Sequence, residues 1–315
     1  MSAADAELDG WDEWATLWGR YMRGHYDGKG TPALYLSALK NLTEWARANG
    51  KGDPAALTTS DLEAYFAHFR DRKNKRTGEP ISGAYMKRDY VALRAFFKYL
   101  VKREGIENPM AGVDAPRTKP KRVEVFTDDE LRALLATCKG RGFTERRDTA
   151  ILRVFIDVGA RREEVAAIEV GDVDLDSIVP TLALTGKGGK QRRVHLGSNA
   201  AEALGLYLRV RRQHKDARLK ALWLTDPTQH RGALGYSGLG TMLKRRGADA
   251  GVEGVHPHRF RHTAYDALVQ AGGDGTEAMT HFGWSSRSML DHYAATSAEK
   301  RTVAIMHRLS PGDRL

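Results

Sequence analysis

Residues 256–268 read HPHRFRHTAYDAL: three histidines and two arginines within seven positions, followed by apolar residues. At 3.6 residues per turn the stretch predicts a helix on which Phe260, Ala264, Ala267, Leu268 and Ala271 share one stripe, the side that meets a core. His258 and Arg261, three apart, are then neighbours, and His262 lies away from the apolar stripe. Pro257 suits the first turn, where a backbone N–H has no intrahelical partner. A helix that opens on a His and an Arg side by side is either a solvated face or one wall of a site, and partners elsewhere in the chain decide which. His258 and His262, with His256, also stand at a metal-binding spacing. No Glu follows the first histidine as a zinc protease helix needs, however, and the one cysteine, Cys138, is remote. No metal or other cofactor is expected.

The chain has 315 residues, of which 41% are hydrophobic, enough for two domains with separate cores. No apolar run reaches the length of a membrane span and no signal peptide is visible, so a cytoplasmic protein without a membrane partner is expected. One cysteine excludes a disulfide framework. The formal net charge is +10, and residues 119–315 carry +8 of it, in clusters such as KGGKQRR (187–193) and RVRRQHK (209–215). A basic balance of this kind favours polyanions, nucleic acid above all.

The first hundred residues read as four helices at 11–22, 32–48, 60–73 and 84–103. Ser60 and Glu63 stand at capping-box spacing at the start of the third. In the fourth, Val91, Leu93, Phe96, Phe97 and Leu100 recur at helical spacing with basic residues between them. Short connections make these a bundle. GIENPMAGVDAPRTKPKRVEVF (105–126) then brings three prolines and a basic end, which marks a linker. The expected division is a helical domain over 1–115, a linker over 116–124 and a second domain over 125–315. Thr127 and Glu130 repeat the capping-box spacing for a helix at 128–138. The segment at 146–158 is helical and stops at Gly159. Residues 178–184 and 191–196 look like strands joined through TGKGGK (185–190), a hairpin turn on composition. A helix over 201–213 and several more follow.

Groups able to act with His258 and Arg261 are visible along this second domain. DVGARREEV (157–165) offers Arg161 just past the Gly159 stop, with Glu164 three residues on. Lys187 stands between glycines at the hairpin tip. HFGWSSRSMLDHYAATS (281–297) places Trp284 after a glycine turn and Tyr293 nine residues later. Two guanidiniums can grip the non-bridging oxygens of one phosphate and hold a pentacoordinate transition state better than the ground state. A tyrosine, weakly nucleophilic at its ordinary pKa of about 10, gains from nearby cations that favour phenolate. A lysine or histidine can protonate the leaving oxygen. The set is coherent as metal-free phosphoryl transfer through tyrosine.

GARREEV, TGKGGKQRRVHL, HPHRFRHTAY and HFGWSSRSMLDHY resemble, in order, the boxes of the tyrosine recombinase (phage integrase) family, whose patterns there look like TGxRxSE, GKGxKxRxVPL, HxLRHT and LGHxx…Y. The likeness runs from about residue 125 to 296, and ENPMAGV with the four helices resembles the family's core-binding domain less specifically. It implies a mainly α fold with a small β-sheet: an N-terminal helical bundle (core-binding, SAM-like) and an α+β catalytic domain. Arg161 matches the first arginine, with Arg162 its rival, and Glu164 the acidic partner that positions it. Lys187 matches the lysine that protonates the 5′ leaving oxygen, with Lys190 the lesser candidate. His258 and Arg261 match the HxxR pair. Trp284 stands where most members have His and some have Trp, and Tyr293 matches the nucleophile. Tyr265 and His262 are expected to be structural, while Lys190, Arg192 and Arg259 are candidates to touch DNA. FGW for LGH, REE for xSE and RVHL for RVPL are departures that remove no required group.

The resemblance further implies a site-specific DNA recombinase acting on double-stranded DNA through a 3′-phosphotyrosyl intermediate, as a homotetramer on two sites with a Holliday junction between them. No ATP is needed because the bond energy is retained. No arm-binding domain is expected before the four helices, and accessory DNA-bending proteins stay open. The tail AEKRTVAIMHRL (298–309) docks either on a neighbour or as the last helix of its own domain. A type IB topoisomerase, which rejoins the same strand, and a DNA-binding protein that has lost catalysis are the rival readings.

Overall fold

The computed structural model describes residues 10–26, 30–74, 77–117, 124–228, 232–284, 286–287 and 289–290, with the side chain of Lys187 left outside. The chain divides into two compact units, Met1–Lys121 and Arg122–Leu315. The tail, and Tyr293 with it, lies outside the described residues.

Among the described residues of the first unit there are four α-helices: α1 (Gly10–His25), α2 (Gly30–Ala48), α3 (Thr59–Asp71) and α4 (Gly83–Glu104). Their apolar stripes meet in an aromatic core of Trp11, Trp18, Tyr65, Phe69, Phe96 and Phe97. Aromatic side chains carry large apolar area, which suits a small bundle. The capping box of α3 lies two residues earlier than the spacing of Ser60 and Glu63 suggests. Thr58, in extended backbone, accepts from the Asp61 amide at 3.2 Å, and the Asp61 carboxylate accepts from the Thr58 amide at 3.0 Å. A cap needs non-helical backbone, and Ser60 is already inside the helix. Val91, expected on the core stripe of α4, is instead 47% exposed, while Met86, Tyr90, Leu93 and Phe97 turn inward.

The second unit runs α5 (Asp128–Ala136), α6 (Phe143–Val158), α7 (Arg162–Ala166), β1 (Val173–Asp174), β2 (Thr181–Thr185), β3 (Gln191–His195), α8 (Ser198–Arg211), α9 (Tyr236–Ala250), α10 (Pro257–Gln270) and α11 (Gly275–Phe282). The strands form an antiparallel sheet in the order β1-β2-β3, with Thr181 opposite His195 and Thr185 opposite Gln191. The hairpin is where its turn residues predict it. Its first strand starts later, because Ile178 and Val179 are exposed (103% and 53%) ahead of Pro180. β1, only two residues long, carries no period to read in sequence.

The core of this unit gathers Ile151, Phe155, Leu182, Leu184, Leu204, Trp223, Leu243 and Phe260 around α6. Beside it Asp148, fully buried, accepts from Arg147, Arg245 and Arg246. A buried carboxylate survives only when so paired. Among the described residues no helix is long and apolar enough to cross a membrane.

Candidate active site

Gly159 ends α6 in the left-handed region (φ 57°, ψ 31°), a conformation that favours glycine. The chain reverses there, so that Arg161 becomes the N-cap of α7. Glu164 closes the turn: its Oε2 accepts from the Arg161 amide at 2.8 Å and its Oε1 from Arg161 Nη1 at 3.2 Å. The Arg161 side chain remains 34% exposed, against 2% for Glu164. Burial pushes the Glu164 pKa up. Hydrogen bonds from Arg192 and the Arg161 amide, with the charges of both arginines, outweigh it, and the net shift is downward. The carboxylate stays ionised.

α10 packs beside this turn and is buried on more sides than an amphipathic stripe allows. Phe260 and Ala264 face inward as expected, but Arg259, Arg261, His262, Tyr265 and Asp266 are buried too, while Ala267 and Ala271 are exposed. Arg261, 1% exposed, donates from Nη1 to the Gly159 carbonyl at 3.0 Å and from Nη2 to the Phe282 carbonyl at 2.7 Å. Its guanidinium carbon lies 4.9 Å from the Phe282 ring centre and 5.4 Å from that of Trp284. Both carbonyls end helices, so the arginine satisfies acceptors that α6 and α11 leave open. His258 stands one turn earlier and is exposed. Burial of part of its ring and then the charge of Arg261, with smaller effects from Arg161 and Arg162, lower its pKa. These effects favour the neutral imidazole over the cation.

Arg161, His258 and Arg261 line one cavity of about 220 Å³, with Glu163, Tyr236 and Pro257 on its rim. A phosphate group fits such a space; Arg161, 34% exposed, is the guanidinium open to it, while Arg261 lines the cavity with its Nη atoms donating to carbonyls. Arg162, the rival of Arg161, also reaches this cavity, but its guanidinium lies 3.4 Å above the Tyr236 ring instead of against Glu164. Tyr236 is a residue that sequence reasoning missed; an isolated tyrosine at a helix start carries no signal.

Two of the DNA-contact candidates are committed inside the domain. Arg259, 7% exposed, grips both oxygens of Glu130 at 2.7 and 2.8 Å and donates to the Glu253 carbonyl at 2.6 Å. Glu130 meanwhile completes the expected capping box with Thr127, so Arg259 ties α5 to α10. Arg192 holds Glu164 and donates from Nε to the His281 carbonyl at 2.9 Å. Both guanidiniums are held by carboxylates of their own domain, Glu164 at 2% exposure and Glu130 at 28%. Lys190 is exposed, as a DNA contact requires.

Lys187 occupies the hairpin tip, in a turn with Gly188 and Gly189 at φ 75° and 74°. His256 caps α10 by accepting from the Arg259 amide at 3.2 Å. Trp284 is buried in a small cluster with Tyr265 and Phe282, its ring stacked 5.0 Å from that of Phe282. Among the described residues no group of three or more His, Cys, Asp or Glu is placed to hold a metal ion.

Residues 124–300 match the model of the phage integrase family. The chain is 33% identical over 205 residues to tyrosine recombinase XerC of Actinobacillus pleuropneumoniae serotype 7 (strain AP76), a match covering 64% of this chain and 65% of that protein's length. Its fold is similar to that of XerH site-specific recombinase bound to palindromic difH substrate in a post-cleavage complex (TM-score 0.71, 17% identity, 97% of this chain and 99% of that one). It is also similar to a chain of a lambda integrase tetramer bound to a Holliday junction (TM-score 0.66, 15% identity, 92% of this chain and 78% of that one). With the family's model matched over residues 124–300, more than half of its length, the chain belongs to the phage integrase family, the family of the tyrosine recombinases.

Proposed function

We propose that this protein is a site-specific DNA recombinase that cuts and rejoins strands through Tyr293. The observation that carries it is the convergence of Arg161, His258 and Arg261 on one phosphate-sized cavity. The Tyr293 oxygen attacks the phosphorus of a phosphodiester and the bond to the 5′ oxygen breaks, leaving a 3′-phosphotyrosine and a 5′-hydroxyl. Neutral His258 accepts the tyrosine proton, and Lys187 gives one to the departing oxygen. Arg161 and Arg261 hold the charge that grows on the non-bridging oxygens, and the Trp284 indole N–H supports the same phosphate. A 5′-hydroxyl from a partner duplex then reverses the step. The bond energy is conserved, so neither ATP nor a metal ion takes part.

The helical unit serves as the core-binding DNA domain, and four copies work on two sites through a Holliday junction, on DNA in the cytoplasm. The neighbours named above, one a recombinase on its substrate and one an integrase tetramer on a junction, support this extension. Duplexes selected from a randomised pool by covalent capture test the function, since only a chain that attacks DNA retains them. Capture of none sinks it, and products with changed linking number but unexchanged flanks point to a topoisomerase. EDTA should leave adduct yield unchanged; loss on chelation, restored by Mg²⁺ or Zn²⁺, would return the histidines of α10 to a metal.

Lys187 allows a sharper test. A general acid matters most when the leaving group is poor, and a 5′-bridging phosphorothiolate leaves as a thiolate that hardly needs a proton. The sulfur substrate should therefore rescue cleavage by Lys187→Ala but not by Arg161→Ala. Equal rescue of the two, or of neither, makes Lys187 a binding residue.

A further inference from the structure

Glu164 sits between two guanidiniums that it does not treat alike. Arg192 takes both of its oxygens, Nη1 to Oε1 at 2.8 Å and Nη2 to Oε2 at 2.9 Å, in the fork geometry that makes the strongest ion pairs. Arg161 reaches the same carboxylate through one side-chain contact at 3.2 Å. The exposures follow the same order, 14% for the Arg192 side chain and 34% for that of Arg161. Arg192 also donates to the His281 carbonyl, and its guanidinium lies against the backbone of Gly283, next to Trp284. One side chain of β3 thus touches the turn that carries Arg161 and the turn that carries Trp284.

From this arrangement, and resting on the function proposed above, we infer that Arg192 is a positioning residue: it neutralises Glu164 so that Arg161 is oriented by the carboxylate without surrendering its charge to it. Without Arg192, a carboxylate 2% exposed has Arg161 as its remaining partner in this set. A buried anion left with one cation draws it into a closed pair. Arg161 would then be held by protein where it is needed by phosphate. The residue acts on cleavage through Arg161 and not by touching DNA.

The test uses the full chain and the duplexes captured by the parent. Arg192→Gln should lower the single-turnover cleavage rate at saturating DNA about a hundredfold while the half-saturating DNA concentration stays within about twofold. Removing the stranded carboxylate as well should repair much of the loss: E164Q/R192Q should cleave about tenfold faster than R192Q, because the neutral amide put in place of the carboxylate can still accept from the Arg161 backbone N–H. A purely structural brace gives the opposite, a double variant no faster than the single one, and overturns the inference. So does an Arg192→Gln whose defect is in affinity and whose saturated rate is that of the parent, the mark of a DNA contact. Thermal melting monitors folding. If R192Q lacks a cooperative transition, R192K and E164Q/R192K make the same comparison, since lysine keeps the charge but not the fork. If the parent captures no duplex, the proposed function fails first and the inference falls with it.

Discussion

Tyr293→Phe should bind duplex DNA as the parent does and form no covalent adduct. Phenylalanine keeps the ring and its packing and removes only the attacking oxygen, so the loss belongs to chemistry; a nucleophile's removal typically lowers rate by about 10⁴-fold or more. Tyr265 is too buried to step in, and Tyr236→Phe is the control for the exposed tyrosine at the cavity rim. Tyr265 is 2% exposed on α10, with Phe282 at 6.2 Å and Trp284 at 5.6 Å between ring centres. Gel-resolved adducts on captured duplexes give the measurement. An adduct that persists in Tyr293→Phe and vanishes in Tyr265→Phe would transfer the role.

Lysine in place of either arginine of the cavity should reduce cleavage on the order of 10²–10³-fold, by two separable routes. Arg161→Lys keeps a cation on a partly exposed side chain and loses the planar fork, so the fold should be untouched and the rate within the bound complex should fall. Arg261→Lys strikes deeper. The arginine donates to the carbonyls of Gly159 and Phe282 in a fully buried position, and a lysine amine cannot span both. Each buried acceptor left open costs about 1–3 kcal/mol, so this variant should lose stability as well as rate. Chemical denaturation beside single-turnover cleavage separates the two. Arg161→Lys that weakens binding yet cleaves at the parent rate once bound would show that Arg161 serves the ground state.

The boxes around Arg161, His258 and Arg261 were legible because each is a local pattern: a glycine stop, a turn, a helix start. The hairpin was legible from its glycines, and α5 from Thr127 and Glu130. Guanidinium partners were not. Arg192 and Arg259 read as surface bases beside other bases, and their carboxylates lie 28 and 129 positions away in the chain. Period alone also misjudged α10, since a helix covered by several neighbours buries polar residues once each finds a partner, as Arg259 and Arg261 do. Val91 shows the converse. Its spacing suited the core of α4, but an apolar residue on a helix is free to face outward, and only packing decides.

Gly159 links inheritance to the chemistry of this site. A methyl group there would meet the Ala264 side chain at 2.8 Å, Phe282 at 3.0 Å and the Arg261 backbone at 3.2 Å, at a φ of 57° that already disfavours any side chain. Its carbonyl is also one of the two that orient Arg261. A substitution at this codon therefore injures handedness, packing and the orientation of Arg261 together, and no one compensating change elsewhere repairs all three. Inheritance has no gradual path away from glycine at this position.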